Sequence, residues 1–306
     1  MKSKEFTILF LGLFVLVLII LISVWLFSPK EYNRVGPLPF NNVESSEMPI
    51  INLREAFYEP ASFAESLALA QDIIPRDNIL GIIVPHHLVS SSYTAELIKM
   101  SSGRKINNVV VIGPNHQNIG SDTIATVQAR WEVPDGFVTA NKTLVSQFMA
   151  DFNIFSNKEL FKLEHSIGAI VPFINHYFSG AEILPIAFSS YASIQDARDV
   201  SSWLLQNLGK DSLIIISVDF SHYLTKDEAD EKDKMTKQLI LDSNIEKIIR
   251  LDNDNVDSPA SLTAALLFAK EKKLKTSIYK QANSFDFANE KPSETTSYFF
   301  IAFEEN

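Results

Sequence analysis

Beyond residue 50 the chain alternates two kinds of segment: short continuously apolar runs, and longer stretches whose apolar positions recur every three or four residues. The first kind predicts strands buried on both faces, and the second predicts amphipathic helices. Strands are expected at 80–85, 108–113, 182–188, 212–219, 276–281 and 297–304. Helices are expected at 53–73, 93–100, 141–152, within 165–178, and at 194–208, 226–242 and 258–272. Residues 123–140 predict extended segments around the turn Pro134-Asp135-Gly136. The alternation predicts one α/β domain with a mixed, largely parallel sheet flanked by helices.

Three of the apolar runs end in histidine. They are Leu80-Gly-Ile-Ile-Val-Pro-His86-His87, Val109-Val-Val-Ile-Gly-Pro-Asn-His116 and Leu213-Ile-Ile-Ile-Ser-Val-Asp219-Phe-Ser-His222. Ligands of open α/β sheets bind beyond the carboxyl ends of the strands. Four of the six histidines fall at three such ends. Imidazole ligates metals and moves protons near neutral pH, so the pattern points to a pocket of that chemistry.

The amino-terminal segment has a different pattern. Phe6 to Phe27 is a charge-free run of 22 residues, long enough to cross a bilayer core of about 30 Å. It is apolar all round and lacks a small-residue cleavage site, so an uncleaved anchor is expected, with a cleaved signal as the competing reading. Lys2 and Lys4 before the run favour an inside amino terminus and an extracytoplasmic body. Residues 1–5 are then a short tail, 6–27 the transmembrane anchor, 28–48 a turn-rich linker and 49–306 the α/β domain. The chain has no cysteine, which excludes thiolate ligands and a cysteine nucleophile. The net charge of −10 without a basic cluster in the body disfavours nucleic acid as a partner. The expected partners are the membrane, through the anchor, and a small molecule or peptide in the pocket.

Each candidate residue also has an ordinary structural explanation. Of the adjacent pair, only His86 should enter the pocket and His87 should point elsewhere, because neighbouring side chains on extended chain face opposite ways. His116 follows Gly113-Pro-Asn, which would serve equally as a plain turn. Asp219, directly after an apolar strand, must be solvated, hydrogen-bonded, bound to a cation or used as a cap. Glu164 or Ser166 can cap the helix that His165 begins, and His176 is read as a partly buried helix residue outside the site. Phosphate-cradling glycine loops, H-E-x-x-H and G-x-S-x-G are all missing.

VPHH at 84–87, IGPNH at 112–116, EHSI at 164–167 with Pro172-Phe, SVDFSH at 217–222 and DSPASLTAALL at 257–267 together resemble the Memo family, known in prokaryotes as AmmeMemoRadiSam system protein B. The resemblance covers nearly the whole body. It implies a fold like that of the class III extradiol dioxygenases, which use non-haem iron. It further implies His86 and His116 as metal ligands, and Asp219, His222 and His165 as catalytic pocket residues, with His222 as acid or base. Aligning the Ala-Ala-Leu-Leu segments puts Ser258 where the family has a third, cysteine ligand. Serine there would weaken the site, since a neutral hydroxyl ligates poorly. Gly168 and Ile170 also stand where the family has polar residues. The implied cofactor is a divalent metal, iron before copper or zinc. The implied function is dioxygenase-like or other redox chemistry. A non-catalytic binding module with a degenerate metal site and a metal-dependent hydrolase remain as alternatives.

The anchor has a direct test. The full chain should stay with membranes through alkaline extraction, and a carboxyl-terminal tag should be open to external protease. A soluble mature protein beginning near residue 28 would show cleavage, and a protease-protected tag would reverse the orientation.

Overall fold

The predicted apolar runs lie side by side in one sheet. The computed structural model describes residues 50–54, 59–134 and 136–306, which belong to one compact unit. Its strands are β1 (Ile51–Arg54), β2 (Ile79–Val84), β3 (Asn108–Pro114), β4 (Ile124–Ala125), β5 (Ala129–Val133), β6 (Gly136–Thr139), β7 (Glu182–Phe188), β8 (Ser212–Ser217), β9 (Phe220–Leu224), β10 (Lys275–Asn283) and β11 (Thr295–Glu304). The main sheet runs β10-β11-β2-β8-β3-β7-β4, with β9 paired to β11, and β1-β5-β6 form a smaller sheet. The central strands β2, β8, β3 and β7 are parallel, so their carboxyl ends share one edge. β4, β10 and β11 join antiparallel, which makes the sheet mixed as expected.

The parallel core follows from composition. Every residue of β8 is buried, and β3 and β7 are buried after their first residue, so both faces of these strands are covered. The helices Ile194–Asn207 and Pro259–Glu271 pack on each other, and the second also packs on β3, β7 and β8. The helix Ser91–Met100 packs on β2, β11 and the helix Pro60–Leu69. β11 contributes Tyr298, Phe299, Phe300 and Phe303, all fully buried, and Phe299 meets Phe220 edge-on at 4.6 Å between centroids. Such aromatic burial dominates core energetics.

The structure corrects the pattern reading in three places. Residues 53–73 are not one helix: Ile51–Arg54 is a strand parallel to β5, and the helix begins only at Pro60, capped by the Glu59 carboxylate. Proline at the first helical position needs no amide donor, which explains the late start. β9 was not expected at all, because Phe-Ser-His-Tyr-Leu is too short and polar to announce itself as a strand. β10 and β11 also run longer than the apolar pattern suggests, since β10 is half-exposed along most of its length. The run 6–27 and the linker 28–48 lie outside the described residues. Among the described residues, no helix is long and apolar enough to cross a membrane.

Candidate metal centre

At the carboxyl edge of the parallel strands lies a cavity of about 1020 Å³ lined by His86, His87, His116, His165, Asp219, His222, Asp257 and Ser258, among others. His86 leaves the end of β2 and is buried, at 2% side-chain exposure. His116 follows β3, and His165 opens the short helix His165–Gly168. That helix reaches the sheet because Gly113 has no side chain: a Cβ there would lie 2.5 Å from Ser166 Oγ and 2.7 Å from Ser166 Cβ. The three rings converge, with centroids 5.0 Å (His86–His116), 4.9 Å (His86–His165) and 4.2 Å (His116–His165) apart. One ligand nitrogen from each lies within 4.8 Å of the others, so the three could hold a metal ion. Ligand atoms about 2.1 Å from one ion stand about 3.4 Å apart in a tetrahedron, so rings at the 4.8 Å outer limit would draw inward by about 1 Å on loading.

Carboxylates surround these imidazoles. Glu164 Oε1 is 2.8 Å from His116 Nδ1, while its Oε2 accepts the His116 backbone N–H at 3.0 Å. The same side chain accepts from Ser166 N at 2.8 Å and so caps the helix that His165 begins. Asp257 Oδ2 lies 3.3 Å from His86 Nε2 and 3.6 Å from His116 Nε2. Asp219 Oδ1 accepts the backbone N–H groups of His86 and His87, at 3.2 and 3.4 Å. Its other oxygen is 3.6 Å from His86 Nε2 and 3.9 Å from His222 Nε2.

This charge distribution sets the protonation of the imidazoles in the metal-free protein. Burial pushes the His86 imidazolium down to about 3, against the pull of Asp257, so the ring is neutral near pH 7. Burial also opposes charge on His116, but the Asp257 and Glu164 carboxylates outweigh it and raise its pKa to about 10. Burial would raise Glu164, yet the hydrogen bond and charge of His116 hold it down to about 2. Burial and the His116 charge lower His165, and burial pushes the Asp219 carboxyl up. Glu164 and Asp257 thus share the His116 imidazolium, and a divalent ion replacing its proton would supply them with more positive charge. With Nδ1–H donating to Glu164, His116 keeps Nε2 for a metal, the orientation a carboxylate partner imposes on ligating histidines. Ser217 Oγ, 3.3 Å from His86 Nδ1, can do the same for His86. Two buried polar atoms, Asp257 Oδ1 and His222 Nδ1, have no hydrogen-bond partner. These donors and orphaned atoms fit a bound cation.

The structure brings His86, His116, Asp219 and His222 to one cavity, as their strand-end positions suggested, and His165 joins them from the start of its helix. His87 is exposed and outside the three-ring group, but it still borders the cavity and its Nδ1 is 2.7 Å from Tyr298 Oη. Ser258 also borders the cavity, with its hydroxyl engaged by Ser261 Oγ at 2.7 Å and Ser261 N at 3.3 Å as a helix cap. His176 is exposed on the helix Val171–Tyr177, rather than partly buried, and does not line the cavity. Sequence reasoning gave Glu164 only its capping role and passed over Asp257. The sole signal for Asp257 was a carboxylate beside the loop-to-helix junction. Tyr223, next to His222, has φ 55°, a left-handed conformation costly for an aromatic residue, and β9 meets β11 through register shifts. Backbone strain of this kind clusters at functional sites.

The chain has relatives among known proteins. The family model described as Memo-like protein matches residues 59–294. A MEMO1 family protein of Thermoplasma volcanium is 27% identical over 221 residues, covering 69% of this chain and 80% of that protein. Another from Pyrobaculum aerophilum is 28% identical over 242 residues, covering 73% and 83%. The crystal structure of an uncharacterized protein from Escherichia coli K12 shares the fold, with a TM-score of 0.51 and 9% identity over 74% of this chain and 99% of that one.

Two outcomes follow. In the metal-free protein, the depressed Glu164 pKa contributes stability that is present above pH 4.5 and lost as pH falls toward about 2. The raised His116 pKa contributes stability present below pH 6.5 and lost as pH rises through about 10. Glu164→Gln should therefore cost on the order of 3 kcal/mol between those limits, remove the acid flank and lessen the basic one, which Asp257 still supports, in denaturant titrations across pH. Gly113→Ala should cost about 1–3 kcal/mol by overpacking against Ser166, and Ser166→Gly should restore most of it in the double variant. An unaltered melting temperature in Gly113→Ala would mean that the close approach is not a constraint.

Proposed function

The chain belongs to the Memo family, and from that premise we propose that its pocket is a divalent-metal centre serving redox chemistry on a small molecule. The observation that carries this reading is the group of three imidazoles lining the cavity, their ligand nitrogens within 4.8 Å of one another. Iron is the proposed metal, ahead of copper or zinc. Bound there, it would supply Lewis acidity and, as ferrous iron, access to oxygen chemistry of the dioxygenase kind.

The chain's own residues then divide the remaining work. His86 is already neutral and needs to lose no proton to act as a ligand. His116 is oriented by Glu164 and gives up a proton when it ligates. Asp219 holds the backbone at His86 and His87 and so fixes the direction of the first ring. His222 is the proposed acid or base: it lines the cavity and its Nε2 lies 3.9 Å from Asp219 Oδ2. Phe188, Ala192, Ile249 and Leu251 add apolar side chains to the cavity lining, which suits a small organic molecule or a peptide side chain. For the segment outside the described residues, we propose that 6–27 anchors the protein in a membrane with the domain on the extracytoplasmic side.

Metal uptake tests the reading. Free Fe(II) or Zn(II) at 100 times its dissociation constant should stabilise the wild type by about 2.7 kcal/mol. His116→Ala should abolish that gain. His222→Ala should keep it while losing turnover of any substrate found. Equal thermal shifts in wild type and His116→Ala would contradict a metal centre here and favour a plain binding module.

A further inference from the structure

We propose that Asp257 is itself a ligand of the metal held by His86 and His116, which makes the centre an imidazole–carboxylate site. This rests on the reading of the pocket as a metal centre and adds to it a ligand and a metal preference. The first support is distance. Asp257 Oδ2 stands 3.3 Å from His86 Nε2 and 3.6 Å from His116 Nε2. Two ligand atoms at about 2.1 Å from one ion are about 3.0 Å apart at right angles and about 3.4 Å apart in a tetrahedron. Charge-assisted hydrogen bonds are shorter, at about 2.7–2.9 Å. The observed spacing therefore suits atoms arranged around a shared ion better than atoms bonded to each other.

Burial is the second support. The Asp257 side chain is 5% exposed and its Oδ1 has no hydrogen-bond partner. A buried carboxylate is stable only when paired or bound to a cation, and no lysine or arginine lines the cavity among the described residues. The third support is that the carboxylate is positioned in advance. Asp257 Oδ2 accepts Asp219 N at 3.1 Å, and Asp257 N donates to Asp219 O at 3.1 Å, so this residue is laced to the chain just beyond β8. Ser258, the neighbour that alignment by Ala-Ala-Leu-Leu selects, already spends its hydroxyl on Ser261. The position facing the imidazoles lies one residue earlier than that alignment suggests.

A carboxylate oxygen is a hard donor, whereas a thiolate is soft. With His165 as the third imidazole, the added carboxylate gives a nitrogen–oxygen donor set that suits Fe(II) and accepts Zn(II) or Mn(II) in preference to Cu(I). The absence of cysteine thus does not leave the site one ligand short. It changes the class of metal that the site selects.

The experiment uses the full chain purified in detergent, with Co(II) as spectroscopic probe and Zn(II) for affinity by chelator competition. Asp257→Asn should weaken Zn(II) binding at least tenfold, while Ser258→Ala stays within about twofold of wild type. Asp257→Cys loaded with Co(II) should show a sulfur-to-cobalt charge-transfer band and raise the Cu(I)-to-Zn(II) preference; Ser258→Cys should show no band. A band in Ser258→Cys alone would overturn the proposal. So would wild-type Zn(II) affinity in Asp257→Asn when His116→Ala has lost it, and there the metal-centre reading would survive. Failure of the wild type to bind either ion would overturn both.

Discussion

Buried negative charge without a fixed cation is the constraint on which this site depends. Glu164, Asp219 and Asp257 have side-chain exposures of 3, 6 and 5%, and no lysine or arginine lines the cavity among the described residues. Carboxylates in that setting demand a positive partner. Without a metal, Glu164 and Asp257 meet that demand with one proton on His116, whose pKa they raise to about 10. The imidazolium is therefore a placeholder for a cation of higher charge. Around it the chain supplies neutral His86, His165 with a lowered pKa, and backbone amides that tie Asp219 to the end of β2.

The sheet makes this concentration of charge possible. Four parallel strands rich in Ile, Val and Leu form a core that carries little polarity until the strands end, and all four end on one edge. Apolar burial in the strands offsets the desolvation of the few polar groups beyond them. Small residues admit the remaining parts: Gly113 lets the helix at Ser166 approach, which places Glu164 against His116 and His165 against His86. The fold thus concentrates stability in the strands and leaves their ends free to carry chemistry.

Much of this was legible in the sequence because the signals were local. A continuous apolar run ending in histidine states both a strand and a ligand position, and His86, His116 and His222 were readable for that reason. β1 was lost to an apparent helical period across 53–73, and β9 because its pairing with β11 is a long-range fact. Glu164 showed one of its two roles, since a cap is visible within three residues whereas its bond to His116 spans 48 positions in sequence. Asp257 was the hardest to read: its meaning comes from imidazoles far away in the chain, and a one-residue offset from Ser258 is invisible to spacing alone.

Anomalous diffraction from crystals loaded anaerobically with Fe(II) tests the central claim most directly. The account predicts one peak among the imidazoles, about 2.0–2.3 Å from the nearest atoms of His86, His116, His165 and Asp257. A fully loaded protein with no peak there, or a peak coordinated by other residues, would contradict it.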